Sequence, residues 1–360
     1  MMRIHLLKFL DRWLGTTLAR LLPRPAAPSP IGPDPQSILI IRPGGIGDAV
    51  LLVPTINALR AQFPRAAIDL LAERRNAGVF ALCPEIRSLF CYDRPGQLLE
   101  VLRRRYTVVI DSEQWHYLSA VIARLVRAPV KIGFATNPRR RLFTSPVAYS
   151  HDDYEVASFL RLLYPLGISG ATAPVGPWLQ VPDYARQAAD SLLPEDDWPL
   201  AVIFPGASIT ERCWGVEKFA RVADWFRERR LRVVVVGGEG ERADGEILAT
   251  SCGAINLAGK TSLAETAALL ARSTVLVSGD TGILHLAVGL GCPTVSLFGP
   301  GIAAKWAPQG AGHIVLNKKL HCSPCTRFGY TPDCPHGVRC MREIAVADVT
   351  EELAGFCPSA

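Results

Sequence analysis

Short apolar runs recur along this chain, alternating with longer stretches in which apolar residues return every three or four positions. Segments 37–41, 68–72, 88–92 and 108–111 have the length and near-continuous apolar character of strands buried on both faces. After the first of them a glycine-rich turn opens a helix expected to reach about Phe63 and to kink at Pro54. The rhythm restarts at 200–204, with further strands expected at 232–236, 255–257, 275–278 and 294–298. Helices are expected at 216–229, where Phe219, Val222, Ala223 and Phe226 share one face, and at 263–271. This alternation predicts an α/β protein of two doubly wound, Rossmann-like domains. Their ligand sites would lie at the carboxyl ends of the strands, facing a central cleft.

The pattern also divides the chain. Residues 1–36 form a leader, 37–185 a first domain, 186–345 a second, and 346–360 a last helix and tail expected to pack back across the domains. In the leader, Leu6, Leu7, Leu10, Trp13, Leu14, Leu18, Leu21 and Leu22 recur at helical spacing. Arg3, Lys8, Arg12, Arg20 and Arg24 oppose one acid, Asp11. A helix lying in a membrane interface has this composition, and so does one packed on the protein's own surface. A signal peptide fits less well, because charges recur along the segment and no small-residue cleavage site follows a clean apolar core. The proline-rich stretch 23–35 then leads into the first domain.

Composition narrows the class. With 360 residues, 49% hydrophobic and 20% charged, the chain is long enough for two cores and is not disordered. No apolar run is long enough to span a bilayer. The net charge of +6 is dominated by arginine, which suits phosphates and anionic headgroups. No nucleic-acid-binding module is present. Six of the ten cysteines are scattered, which argues for a reducing cytoplasm.

Four segments carry chemistry. Gly44-Gly45-Ile46-Gly47-Asp48 follows the first strand, and its glycines let backbone approach a ligand. The spacing is not that of a dinucleotide fingerprint, and the acid falls inside the turn, which aims Asp48 at a substrate. Asp48 as a cap of its own helix is the competing reading. The run from Pro205 to Trp214 offers Ser208, Thr210 and Arg212 to a phosphate. Gly237-Gly238-Glu239 ends another strand, where a carboxylate can accept from ribose hydroxyls, and Lys260-Thr261 follows nearby. Ser278-Gly279-Asp280-Thr281-Gly282 joins a strand to a helix with His285 one turn inside, so free N–H groups and the helix dipole make a diphosphate cradle.

Taken in order, G-D-x5-P (Gly47, Asp48, Pro54), P-G-x5-R-x-W (Pro205 to Trp214) and D-T-G-x-x-H with L-F-G-P (Asp280 to His285, Leu297 to Pro300) resemble glycosyltransferase family 9, the bacterial ADP-heptose:lipopolysaccharide heptosyltransferases. The resemblance covers residues 37–353 and implies a GT-B fold and an inverting, metal-independent transfer of heptose from ADP-heptose to a lipid-linked saccharide. It implies Asp48 as general base and Arg212 as diphosphate neutraliser. Donor binding falls to Ser208, Thr210, Glu239, Thr261, Asp280, Thr281, Gly282 and His285. Arg212 stands where the family usually carries Lys, and Gly215 where Pro is usual.

Acceptor contacts are expected from Gly44, Gly45 and the segment Asp111 to His116, with Glu113 and His116 as candidates and Trp115 to stack on a sugar. Arg139-Arg140-Arg141 is a candidate phosphate contact or a solvated basic loop. The expected site of action is the cytoplasmic face of the inner membrane, reached through residues 1–24. Cys322, Cys325, Cys334 and Cys340, in loop 321–341, match the family's C-x-P-C…C…C-M run. They read as a structural zinc site, as free thiols or as a disulfide-forming loop, with no part in transfer. A sugar-nucleotide epimerase and a non-catalytic nucleotide-sugar-binding protein are the rival readings.

Overall fold

The computed structural model describes residues 11–26, 34–174, 176–196, 198–327 and 330–357. The chain divides into two compact units, 1–174 and 175–360. The first holds six strands: β1 (Ser37–Arg42), β2 (Ala67–Ala72), β3 (Ser88–Cys91), β4 (Val108–Asp111), β5 (Val130–Phe134) and β6 (Ser145–Val147). They form one parallel sheet in the order β3-β2-β1-β4-β5-β6. The second holds β7 (Leu200–Phe204), β8 (Arg232–Val235), β9 (Ile255–Asn256), β10 (Val275–Gly279), β11 (Thr294–Leu297) and β12 (His313–Leu316). Its order, β12-β11-β10-β7-β8-β9, is the same topology repeated.

In each sheet the strand order therefore changes sense between the first and fourth strands, β1/β4 and β7/β10, which still pair parallel. A crevice opens there at the carboxyl ends, because the loops leave to opposite faces. Continuous burial of β1, β4, β7 and β10 explains their unbroken apolar character. The helix Ile46–Gln62 runs through Pro54 and is buried from Ala49 to Ile56, so it is apolar nearly all round.

Three strands lay outside the expected set: β5, β6 and β12. The unit boundary precedes the expected 185/186 for a packing reason. Trp178 and Leu179 donate their N–H groups to Gly289 O at 2.9 Å, and the helix Asp183–Asp190 packs on the helix Leu263–Ala271. The last helix, Val346–Leu353, was expected to cross the domains. It instead adds Val349 and Leu353 to the second unit's own core, against the helix Val216–Glu228.

Residues 1–10 of the leader lie outside the described residues. Its described part, a π-helical turn Asp11–Gly15 and the helix Thr16–Leu21, packs on the first unit through buried Ala19. Asp11 Oδ1 accepts the N–H groups of Tyr117 (2.8 Å) and Leu118 (2.7 Å), so the leader's acid serves the free amino end of the helix Tyr117–Leu125. No helix among the described residues is long and apolar enough to cross a membrane.

Gly133 in β5 lies beneath the buried Phe143 ring, where an added Cβ would stand 2.3 Å from Cζ. Gly133→Ala is expected to destabilise the protein by about 1–3 kcal/mol. In urea unfolding the midpoint should fall with the slope unchanged.

Candidate active site

The first crevice is organised around Arg42, the last residue of β1 and 1% exposed. Its guanidinium donates to Ser112 O (2.9 Å), Glu113 Oε2 (3.1 Å) and Gln114 Oε1 (3.4 Å), all on the loop after β4. Gln114 donates in turn to Glu155 at 2.6 Å, and Tyr149 donates to the same carboxylate at 3.0 Å. Glu113 Oε1 accepts the N–H groups of Trp115 (2.9 Å) and His116 (3.2 Å). Burial alone would raise the Glu113 pKa, but Arg42, with His116 and Arg139, outweighs it, so the group lies below its ordinary value.

Asp48 belongs to the same cluster. It is the third residue of the helix Ile46–Gln62, whose N-cap is Gly45 with no side-chain cap bond, so Asp48 does not occupy the cap position. Burial raises its pKa. Arg42 and a hydrogen bond with Gln114 pull it down, and Glu113 pushes it up; the net direction is up. Gly44 takes φ +102, and an added Cβ would stand 3.2 Å from Arg42 Nη2 and 3.7 Å from Asp48 Oδ2. Gly45 has open space where its Cβ would be. Gly44, Gly45, Asp48 and Glu113 are thus brought together. His116 points elsewhere, its Nδ1 lying 3.2 Å from Asp11 Oδ2.

Arg139 is neither solvated nor available to a phosphate. It is fully buried, ion-paired to Asp111 and bonded to Glu113 O. Arg42, Glu155 and Asp11 support this site without having been singled out for it, Gln114 lies within the expected acceptor segment, and Arg139 was expected as a phosphate contact or a solvated residue. The available signal for Arg42 was a charged residue closing an otherwise apolar strand.

The second crevice repeats the plan. Arg212 closes a short turn, Thr210–Arg212, after β7 and pairs through Nη1 with Asp280 Oδ2 at 2.9 Å, on the loop after β10. Its Nε is buried and has no hydrogen-bond partner among the described residues. Thr281 caps the helix Gly282–Gly289, its hydroxyl accepting from Leu284 N at 3.3 Å and lying 3.0 Å from Ser278 Oγ. Gly301 allows Asp280 to sit there, since a Cβ at 301 would lie 2.2 Å from Oδ2. His285 is buried, and burial, then the Arg212 charge, lowers its pKa to about 4.

Arg212, Asp280, Thr281, Gly282 and His285 are thus adjacent. Ser208 and Thr210 are exposed on the turn. Glu239 is mostly exposed, 3.2 Å from Arg242, and lies over Gly259; Thr261 bonds Thr266 at 2.9 Å. Glu241 accepts Gly238 N–H at 2.8 Å and fills the space above Gly206.

Cys322, Cys325, Cys334 and Cys340 line one pocket of about 220 Å³ with His336 and Glu211. All ten cysteines are free thiols. The donor set suits a thiophilic cation. Among the described residues no three His, Cys, Asp or Glu side chains are grouped so as to hold a metal ion.

Residues 96–333 match glycosyltransferase family 9 (heptosyltransferase). The chain belongs to this family. The glycosyltransferase is 28% identical over 291 residues to lipopolysaccharide heptosyltransferase 3 of Escherichia coli K12, covering 73% of this chain and 82% of that one. It resembles the structure of the E. coli ADP-heptose lipopolysaccharide heptosyltransferase II, with TM-score 0.75 and 21% identity over 89% of this chain and 98% of the other. The E. coli heptosyltransferase WaaC with ADP gives TM-score 0.72 and 18% identity over 89% and 100%. The fold is GT-B, each sheet being one of its Rossmann-like domains.

His285 gives this glycosyltransferase a testable pH dependence. Its pKa is lowered in the folded state, from 6.5 to about 4, so the unfolded chain binds the extra proton between those values. Stability from this group is complete above about pH 6.5 and is lost as pH falls towards 4, by about 2–3 kcal/mol. Denaturant unfolding from pH 7 to 4.5 should show a shallower decline in His285→Leu than in the parent.

Proposed function

We propose that the protein transfers heptose from ADP-heptose, with inversion and without a catalytic metal, to a lipopolysaccharide core or related lipid-linked saccharide at the cytoplasmic face of the inner membrane. The observation that carries the reading is Arg212: a part-buried cation at the second crevice, beside a helix N-terminus, whose buried Nε has no partner among the described residues. Backbone N–H groups at Thr281–Gly282 and the guanidinium together suit a diphosphate. The names of the relatives support heptose and lipopolysaccharide as donor sugar and acceptor.

In the reaction Asp48 takes the proton of the acceptor hydroxyl as its oxygen attacks the anomeric carbon. The bond from that carbon to the diphosphate oxygen breaks, and ADP leaves with the electron pair. Arg212 and the helix N-terminus stabilise the charge gathering on the leaving phosphate, the contribution expected to be largest. Ser208, Thr210, Glu239 and Thr261 complete the donor contacts. Gly44, Gly45 and Glu113 serve the acceptor side, while His116 is turned towards Asp11.

Asp48→Asn should retain ADP binding by calorimetry and lose transfer by about 10²–10⁴-fold. Normal transfer by that variant would remove Asp48 as base. Because burial raises the Asp48 pKa, the acid limb of the parent's kcat/KM profile should rise through a midpoint above the ordinary carboxylate value of 3.8.

The cysteine pocket, lined by Cys322, Cys325, Cys334 and Cys340, is the candidate for a structural zinc by its thiol chemistry, although among the described residues no three ligands are grouped to hold the ion. Zinc would draw the four thiolates together and fasten loop 321–341, with no role in transfer. Purified protein should carry zinc by elemental analysis, and Cys322→Ser/Cys325→Ser should lose the metal and melt at lower temperature. Parent protein without metal, after purification free of chelators, would reject the site.

A further inference from the structure

The Arg212–Asp280 pair borders more than the crevice. Asp280 is held against Gly301, where an added Cβ would stand 2.2 Å from its Oδ2. Two residues earlier, an added Cβ at Gly299 would stand 2.6 Å from Met341 Sδ and 3.0 Å from Cys340 Sγ. The segment Gly299-Pro300-Gly301 thus touches Asp280 at one end and loop 321–341 at the other. Hydrogen bonds tie it to that loop. Pro300 O accepts the N–H groups of Cys325 (3.0 Å) and Thr326 (2.9 Å), and the Ser323 hydroxyl donates to Gly299 O. The cation of the pair is reached as well. Glu211, next to Arg212 on the turn Thr210–Arg212, lines the cysteine pocket together with Pro300 and Cys325.

We propose that loop 321–341 positions the Arg212–Asp280 pair and so sets the affinity of the second crevice for a nucleoside diphosphate. This rests on the donor reading of that crevice given above. Close packing is the physical basis. Neither Gly299 nor Gly301 has room for a methyl group, so a shift of the loop cannot be absorbed in the segment between them. It passes to Asp280, whose carboxylate lies 2.9 Å from the Arg212 guanidinium, and the cation that faces the diphosphate moves with it. Ser323 is a positioning residue acting through Gly299, and it does not touch the donor. Bond-making at the anomeric carbon lies outside this chain of contacts: the loop governs donor binding, and Asp48 governs transfer. Such coupling is reciprocal. Whatever the loop contributes to diphosphate affinity, a bound diphosphate returns as order in the loop.

The test reads both directions on the full chain, with ADP as the probe. In hydrogen exchange followed by mass spectrometry, ADP at about a hundred times its Kd should slow the Cys325 and Thr326 amides at least about tenfold. In calorimetry, Ser323→Ala should weaken ADP binding at least about fivefold. Its donor KM should rise to match while kcat stays within about twofold of the parent. Ser323→Thr, which keeps the hydroxyl, should restore the parent's affinity. A Ser323→Ala protein that melts lower yet binds ADP as the parent does makes the loop merely structural and overturns the proposal. If Ser323→Ala does not fold, the exchange measurement on the parent decides alone. A parent that binds ADP without slowing those amides overturns the coupling and leaves the donor reading standing. A parent that binds no ADP overturns the donor reading and the coupling with it.

Discussion

A guanidinium without access to water organises the first half of this enzyme. Arg42 reaches Ser112, Glu113 and Gln114, and its ring neighbour Phe159 lies 5.6 Å away. A buried carboxylate that loses its cation costs about 3–5 kcal/mol, so Glu113 and Arg42 must stay together. That requirement holds the loop after β4 against the end of β1, across the switch point of the sheet. The rest follows by contact. Gly44 takes φ +102, which side chains rarely adopt, and packs close to Arg42; Glu113 anchors the N–H groups of Trp115 and His116, and His116 then meets Asp11.

The second half uses the same connection with a different balance. Arg212 joins the loop after β7 to the loop after β10 through Asp280, as Arg42 joins those after β1 and β4 through Glu113. Arg42 is committed to several acceptors, whereas Arg212 keeps a buried Nε with no partner among the described residues. One arginine is spent on holding its crevice together, and the other keeps one N–H uncommitted among the described residues. Arginine makes this division possible, because a planar fork can hold a carboxylate with one edge and present another N–H elsewhere.

Legibility followed how local each signal is. Strands β1, β4, β7 and β10 are buried on both faces, so their character is visible in five residues. β5 contains Lys131, which stays buried by donating to Ala123 O at 2.9 Å and Val126 O at the end of a neighbouring helix. That partner is invisible in the segment itself. β6 is short, carries Pro146 and lies at the sheet edge, where proline is tolerated. The glycine turn and the Asp280–His285 run were readable because local backbone conformation dictates them. The roles of Arg42, Arg139 and Asp11 depend on contacts between residues up to 107 positions apart. Arg139 shows the limit most plainly: within a run of three arginines, one is fully buried against Asp111.

The division of labour between the two carboxylates of the first crevice also rests on Arg42. Glu113 lies 3.1 Å from the guanidinium and accepts two backbone N–H groups, so its ionised form is well served and its pKa falls. Asp48 feels the same cation with fewer partners, and its burial is reinforced by repulsion from the Glu113 charge, so its pKa rises. Two acids whose environments push them apart have different competence. Glu113 holds its charge and suits a fixed electrostatic role. Asp48, held closer to protonation, is the better proton acceptor of the pair. On the proposed reading of Asp48 as base, the packing around Arg42 is what distinguishes it from Glu113.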